Sequence, residues 1–311
     1  MLSRKNGLVS LCLVFAGFWL LAVACHHTDP DEVFYGDTIR VVSPTGQTLK
    51  YVVRNANTCQ LELYGFGDKS FQGDGPLEIP GSVNYKGRTY SVESIHKKAF
   101  RGCSGITSVS VDDSIATVSK GVFKRCSSLR SVHLPASIKK IEKSLFARCE
   151  SLESIDIPDG VEVIGDAAFR KCRRLESIGL PSSLRRVQYE AFYGCVSLRS
   201  VNLPDGVDTV SQRAFGNCQS LSEIILPQSL LFVGDNAFMG CEKLTSVRLP
   251  DSVAWIGDAA FCGCISLRSV RFPQSLRHVG SWCFWSCPRL AGAKLPPGVV
   301  EVGDNVFSET Q

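Results

Sequence analysis

Val163–Pro181 reads VIGDAAFRKCRRLESIGLP. Its apolar residues recur neither every three to four positions, as on a helix face, nor in the strict alternation of a half-buried strand. Twenty-three residues later the skeleton returns as RVQYEAFYGCVSLRSVNLP, Arg186–Pro204. Phe stands at 100, 123, 146, 169, 192, 215, 238, 261, 284 and 307, ten times at a spacing of 23. Cys lies three residues after each of the first nine, from Cys103 to Cys287, and Pro twelve after in eight cases, from Pro135 to Pro296. Apolar residues hold the places six, nine, eleven, fifteen and eighteen after Phe, as in Leu175, Ile178, Leu180, Leu184 and Val187. A unit this short cannot bury its own apolar face, so the units must stack on one another as a solenoid.

Within a unit, LESIGLP predicts a strand with Ile178 and Leu180 on one face and Ser177 and Gly179 on the other. Pro181 ends it, because Pro has no N–H to give a ladder. The triplets that follow, Pro-Asp-Gly, Pro-Ser-Ser or Pro-Gln-Ser, are turn chemistry. The segment GDAAFRKC predicts a short helical turn, with Asp166 as its cap and Ala168, Phe169 and Cys172 packed inward. The residue fifteen after Phe alternates between Val and Leu over most units, from Val161 and Leu184 to Leu276 and Val299, a two-unit rhythm.

These columns resemble the BspA-like leucine-rich repeat, L-x-x-[VI]-x-[LI]-P-x-x-[VI]-x-x-[IV]-G-x-x-A-F-x-x-C, from Phe100 to Phe307. The resemblance implies a repeat solenoid with a parallel β-sheet on its concave face, turns and short helical segments on its convex face, and a β cap at the N-terminus. Residues 77–99 resemble an atypical first repeat lengthened by a hairpin around Lys86-Gly87, and 100–311 carry the regular repeats. Residues 25–76, with strand-like TIRVV and LKYVV, form the linker and cap. The last candidate strand, Gly292-Ala293-Lys294-Leu295, is the least apolar and carries a Lys, as edges that avoid pairing do.

Residues 1–24 have the form of an export signal: Arg4 and Lys5, an apolar run from Leu8 to Leu21, then small residues. That run is short of the roughly 20 residues a membrane helix needs. Leu21-Ala22-Val23-Ala24-Cys25 resembles a bacterial lipobox, with Leu four rather than three residues before the Cys. The resemblance implies lipidation of Cys25 and anchoring in the outer membrane or at the cell surface. Ala22-Val23-Ala24 also suits ordinary secretory cleavage, the lesser alternative. Loss of Arg4 and Lys5 takes 34 basic residues to 32 against 30 acidic, so overall charge selects no partner.

Fourteen Cys in an exported chain raise the question of disulfides. Nine share one column, where side chains point the same way at strand spacing, wider than the Cβ separation of a disulfide. A file of buried thiols acting as small hydrophobes is the better account. Cys262, Cys264, Cys283 and Cys287 have the form C-x-C-x18-C-x3-C, yet Cys264 and Cys287 belong to the repeat column and Cys283 takes an Ala place, so no metal is expected. G-x-S-x-G, G-x-x-x-x-G-K and H-E-x-x-H are absent, the His residues are scattered, and neither catalysis nor a cofactor is expected.

Specificity then falls to the columns that vary. Eight residues after Phe the column is nearly all Ser; two further on it ends in Arg248, Arg271 and Lys294, a candidate row for an anionic ligand. Seventeen after Phe it runs Thr117, Lys140, Val163, Arg186, Thr209, Phe232, Trp255 and His278, so the later units present a candidate apolar patch with Leu231 beside it. Lys97–Arg186 holds 17 basic and 10 acidic residues, a stripe suited to an acidic glycan or an anionic membrane surface. Proteins with BspA-like repeats are associated with adhesion to host matrix and with coaggregation. The resemblance therefore implies a protein partner, with an acidic glycan as a further candidate, attachment to the membrane through the lipid, and no role for nucleic acid. An accessory role in a bacterial envelope complex is the alternative.

Overall fold

The computed structural model describes residues 33–310, with the short pairs Leu11–Cys12 and Val23–Ala24 before them. The chain from 33 onward begins as a sheet. Thr38–Val42, Thr48–Asn55 and Gln60–Phe66 pair antiparallel, and Arg88–Ile95 joins Gln60–Phe66 in parallel. Alternation along these strands buries Leu49, Tyr51 and Val53, then Leu61 and Leu63. Ser82–Tyr85 folds back on Arg88–Ile95 through Lys86 and Gly87, both with positive φ, as a two-residue hairpin requires. Thr117–Val118 adds to Ser94–Ile95 in parallel, and Gly75–Ile79 pairs with Ile106–Val111, so both edges of the repeat array start on this unit.

Beyond it the chain is a parallel β-solenoid with one core running from Val33 to Val306. Its longest ladder consists of two-residue rungs, Lys140–Ile141, Val163–Ile164, Arg186–Val187, Thr209–Val210, Phe232–Val233, Trp255–Ile256, His278–Val279 and Glu301–Val302, eight strands in one sheet. The paired residues are equivalents 23 positions apart throughout. The L-x-x-I-x-L strands form a second, broken ladder. Gly75–Ile79, Ile106–Val111 and Ser131–His133 are continuous, then a single bridge joins Asp156 to Gly179. Ser200–Asn202 with Glu223–Ile225, and Ser246–Arg248 with Ser269–Arg271, follow as separate pairs. Asp and Gly are poor strand formers, and where they meet the ladder is reduced to that one bridge. The expected strand over 292–295 is absent because Gly292 adopts φ 66°, outside the strand region.

No helix occurs among the described residues, which corrects the expected helical turn. Two left-handed residues bracket each Phe: around Phe169 they are Ala167, φ 52°, and Lys171, φ 60°. A right-handed helix cannot run through such positions. The turn's N–H groups instead reach the next unit. Ala167 donates to Tyr189 O, Phe169 to Ala191 O and Lys171 to Tyr193 O, each at 2.8 Å. Asp166 caps nothing; its carboxylate faces Lys143 Nζ at 3.2 Å. The turns thus form a third hydrogen-bonded face.

Inside, the Phe rings make an unbroken stack. Successive centroids from Phe100 to Phe307 lie 5.2 to 5.8 Å apart with interplanar angles of 18° or less. Phe66 of the N-terminal sheet closes the stack edge-on to Phe100 at 5.1 Å. Each thiol of the repeat column from Cys126 to Cys287 donates to the carbonyl of the Phe 26 residues earlier, at 3.1 to 3.4 Å. A polar clip follows the two-unit rhythm in the middle of the array: Gly160 N–H donates to Ser183 Oγ at 3.0 Å while that hydroxyl donates to Val161 O at 2.8 Å. Gly206, Ser229 and Val207 repeat the clip with the same distances.

Candidate binding site

Since Val233, Ile256 and Val279 point into the core, the residue before each must point out. Phe232, Trp255 and His278 are consecutive Cα partners on the unbroken ladder, and Glu301 follows them. Phe232 is 45% and Trp255 40% exposed, with Leu231 exposed beside them. The Trp255 and His278 rings lie face to face, centroids 3.4 Å apart and 6° from parallel. His278 Nδ1 stands 2.8 Å from Glu301 Oε2. The result is a strip one rung deep per ring, ending in an imidazole held by a carboxylate.

Arg248 and Arg271 are partners on the broken ladder, both exposed and without an ion pair among the described residues. Arg248 shares a shallow hollow with Ile225, which is 52% exposed, and with Leu226 and Pro250. Lys294 is exposed but does not continue their row, because the left-handed Gly292 takes its segment off the ladder. The candidates therefore fall into a strip of rings, a pair of guanidinium groups and one separate Lys. Cys25 lies outside the described residues.

Sequence reading passed over two features of the turn face. Trp282 and Ile265 are exposed there, in columns that are polar in most units, with Trp285 exposed beside them; that departure from the column was the available signal. Glu190 is buried between Arg170, whose Nε is 2.9 Å from Oε2, and Arg213, whose Nη1 is 3.7 Å from Oε1. Tyr189 donates to Glu190 Oε1 at 3.0 Å, and the Arg170 guanidinium lies over the Tyr193 ring at 5.6 Å. An acid in one unit with a base in the unit on either side is a pattern visible only once the units are stacked.

The N-terminal sheet holds a Glu–His pair. His96 Nδ1 is 2.9 Å from Glu62 Oε1, and Arg54 Nε donates to Oε2 at 2.7 Å. Burial works to raise the Glu62 carboxyl, but bonds from Arg54 and His96 outweigh it and hold the group below the usual carboxylate range. No hydroxyl or thiol bonds to His96 among the described residues, so the cluster balances charge across strands rather than priming a nucleophile. Thiol chemistry is suppressed: burial pushes Cys103 up to about 11 and Cys195 and Cys287 up to about 12. Among the described residues no three His, Cys, Asp or Glu gather as a metal would require, and no helix is long and apolar enough to cross a membrane.

Solved structures similar to the chain include a leucine-rich cell surface protein from Faecalibacterium prausnitzii A2-165, 22% identical over 87% of this chain and 86% of that one, with a TM-score of 0.52. A leucine-rich repeat protein of T. pallidum is 24% identical over 78% of this chain and 88% of that one, at 0.40. One from Eubacterium ventriosum is 16% identical over 88% and 95%, at 0.44. No curated protein matches the chain significantly. The model of the BspA type leucine-rich repeat region matches residues 88–197 and 185–311. With stacked Phe and Cys files and that match over most of its length, the chain belongs to the BspA-type leucine-rich-repeat family.

Proposed function

We propose that the protein is exported, anchored at the cell surface through a lipid on Cys25, and binds a protein partner without catalysing a reaction. The observation that carries this reading is the strip of exposed Phe232 and Trp255, with the partly buried His278 beside them, on a continuous ladder. Large rings held by a backbone that does not need to reorder lose little entropy on docking, and such residues dominate the energetics of protein interfaces. Arg248 and Arg271 extend the contact surface with charge, on the neighbouring ladder. The family membership supports an interaction role, and the surface location rests on the Leu21–Cys25 sequence.

The test is capture of immobilised host matrix proteins by the full chain and by a Phe232→Ser/Trp255→Ser variant. Loss of two central anchors is expected to weaken capture by roughly 30-fold or more, corresponding to about 2 kcal/mol. Both rings are partly exposed, so the unfolding midpoint should stay within a few tenths of a molar in urea. Unchanged capture by the variant would remove the strip as the binding site. Protease treatment of intact cells tests the location: a protein left intact there, but cut in broken cells, would place it inside the envelope.

A further inference from the structure

We propose that the turn face between Arg101 and Lys171 binds a linear polysaccharide carrying sulfate or carboxylate groups, laid along the solenoid axis. Arg101 and Lys124 occupy one file, the place after Phe, and Arg125, Arg148 and Lys171 the next. Successive members are one rung apart: the Phe rings between them are spaced 5.5 to 5.8 Å. Arg125, Arg148 and Lys171 donate their backbone N–H to the following rung at 2.8, 2.7 and 2.8 Å, so the files are held straight by main chain. Lys97 and Lys120 form a flanking file on the other side of Phe.

These cations are not balanced locally. None of the seven makes an ion pair among the described residues, while the nearby acids are engaged elsewhere: Glu142 with Lys140, Asp166 with Lys143, Glu150 with Arg173 and Glu190 with Arg170. Lys124 is half-buried, and burial first, then Arg101, Arg125, Arg148 and Arg170, push its proton affinity down. The backbone adds a second cost. Arg125, Arg148 and Lys171 have φ of 66°, 62° and 60°, a conformation unfavourable to side chains and free for Gly. Gly194, Gly240 and Gly263 fill the same place in later units. Positive φ at non-Gly residues recurs along the whole solenoid, so what sets these three units apart is unpaired like charge at a place where Gly would fit, as expected where a ligand supplies the missing negative charge.

The chemistry of the ligand follows from the surface. Arg presents forked N–H donors to planar carboxylate or to sulfate oxygens. Charges recurring at rung spacing along a straight line suit a chain of sugar rings, each about one rung long. An anionic membrane is the less suitable partner, since no large apolar side chain is exposed between Phe71 and Tyr189 to enter the acyl boundary. The inference is independent of the aromatic strip, which lies on the ladder of later units.

The experiment measures binding of the full chain to size-defined heparin oligosaccharides across a salt series. The key variant is Arg125→Gly/Arg148→Gly/Lys171→Gly, which removes charge while giving the backbone its preferred residue. Affinity is expected to fall at least tenfold, and the slope of log affinity against log salt by about two, with the urea midpoint unchanged or higher. A Lys69→Ser/Lys243→Ser/Arg289→Ser control, equal in charge removed and drawn from exposed cations outside both candidate surfaces, should bind heparin as the parent does. Equal losses in both variants would mean that net charge alone is responsible, and the proposal fails. It fails too if the Gly variant retains full binding, or if the parent binds phosphatidylglycerol vesicles but no heparin.

Discussion

Ala167 and Ala168 share one turn and one side-chain type, yet their environments demand different things. Ala167 sits at φ 52° and is partly exposed; Ala168 is fully buried against the Phe file. A methyl group in the left-handed region costs roughly 1 kcal/mol, about what Gly loses through its freer unfolded chain or slightly more. Ala167→Gly should therefore be neutral or stabilising by up to ~0.5 kcal/mol. Ala168→Gly gives up a buried methyl and gains only chain entropy in the unfolded state, a loss of ~1 to 2 kcal/mol. Urea midpoints of the two single variants decide it; equal destabilisation would mean that the turn is not built as described. The left-handed places were hard to read from composition. Two residues after Phe, Gly102, Gly194, Asn217, Gly240 and Gly263 signal them, but Arg125, Arg148, Lys171, Ser286 and Glu309 occupy the same column and hide the rule. With the rule hidden, GDAAFRKC resembles one turn of helix.

The elements of this fold are files that cross the units rather than segments along the chain. The Cys file shows how a polar need and an apolar one are met together. Each carbonyl of the Phe column would have only one intra-turn partner, and the thiol of the next unit supplies a second donor while filling a small apolar space. Of the twelve Cys between residues 33 and 310, ten are buried and only Cys59 and Cys262 are partly exposed. Among these twelve, labelling with a thiol-reactive disulfide at pH 8 should therefore show two fast equivalents that vanish in a Cys59→Ser/Cys262→Ser variant. Cys262 should be the slower, because burial and then Glu309 raise its thiol. The ten others should react only as urea unfolds the chain; early reaction of any file thiol would break the assignment. The burial of these files was legible, since a period of 23 allows no other place for Phe and Cys. Which ladder would be continuous was not. Ser-Ile-Gly-Leu looks more like a strand than Val163-Ile164, but at Asp156 and Gly179 the first is reduced to a single bridge, while the second holds a buried Ile or Val at every rung from Ile141 to Val279.

At the scale of the molecule, a stack in which each unit touches only its neighbours has a stability that is a sum of local terms and interfaces. The middle and the end of the Phe file must then respond differently to the same deletion. Phe192 is fully buried, with ring neighbours on both sides at 5.3 and 5.2 Å; Phe307 is half-buried, with Phe284 alone at 5.5 Å. Phe192→Ala should cost ~3 to 5 kcal/mol, and Phe307→Ala roughly half that or less, because solvent already covers part of its ring. The central deletion also weakens the interface that couples the N-terminal sheet and early units to the later ones. Within the described residues Trp occurs only at 255, 282 and 285, so Trp fluorescence follows the later units while far-ultraviolet circular dichroism follows the whole. In the parent and in Phe307→Ala the two signals should trace one urea transition. In Phe192→Ala the fluorescence should change first, since the later units lack the six-stranded sheet that anchors the early ones. Coincident curves in that variant would mean that cooperativity passes through the ladders and turn face strongly enough to bypass a missing ring, and the Phe file would then be a filler of volume rather than the coupling between units.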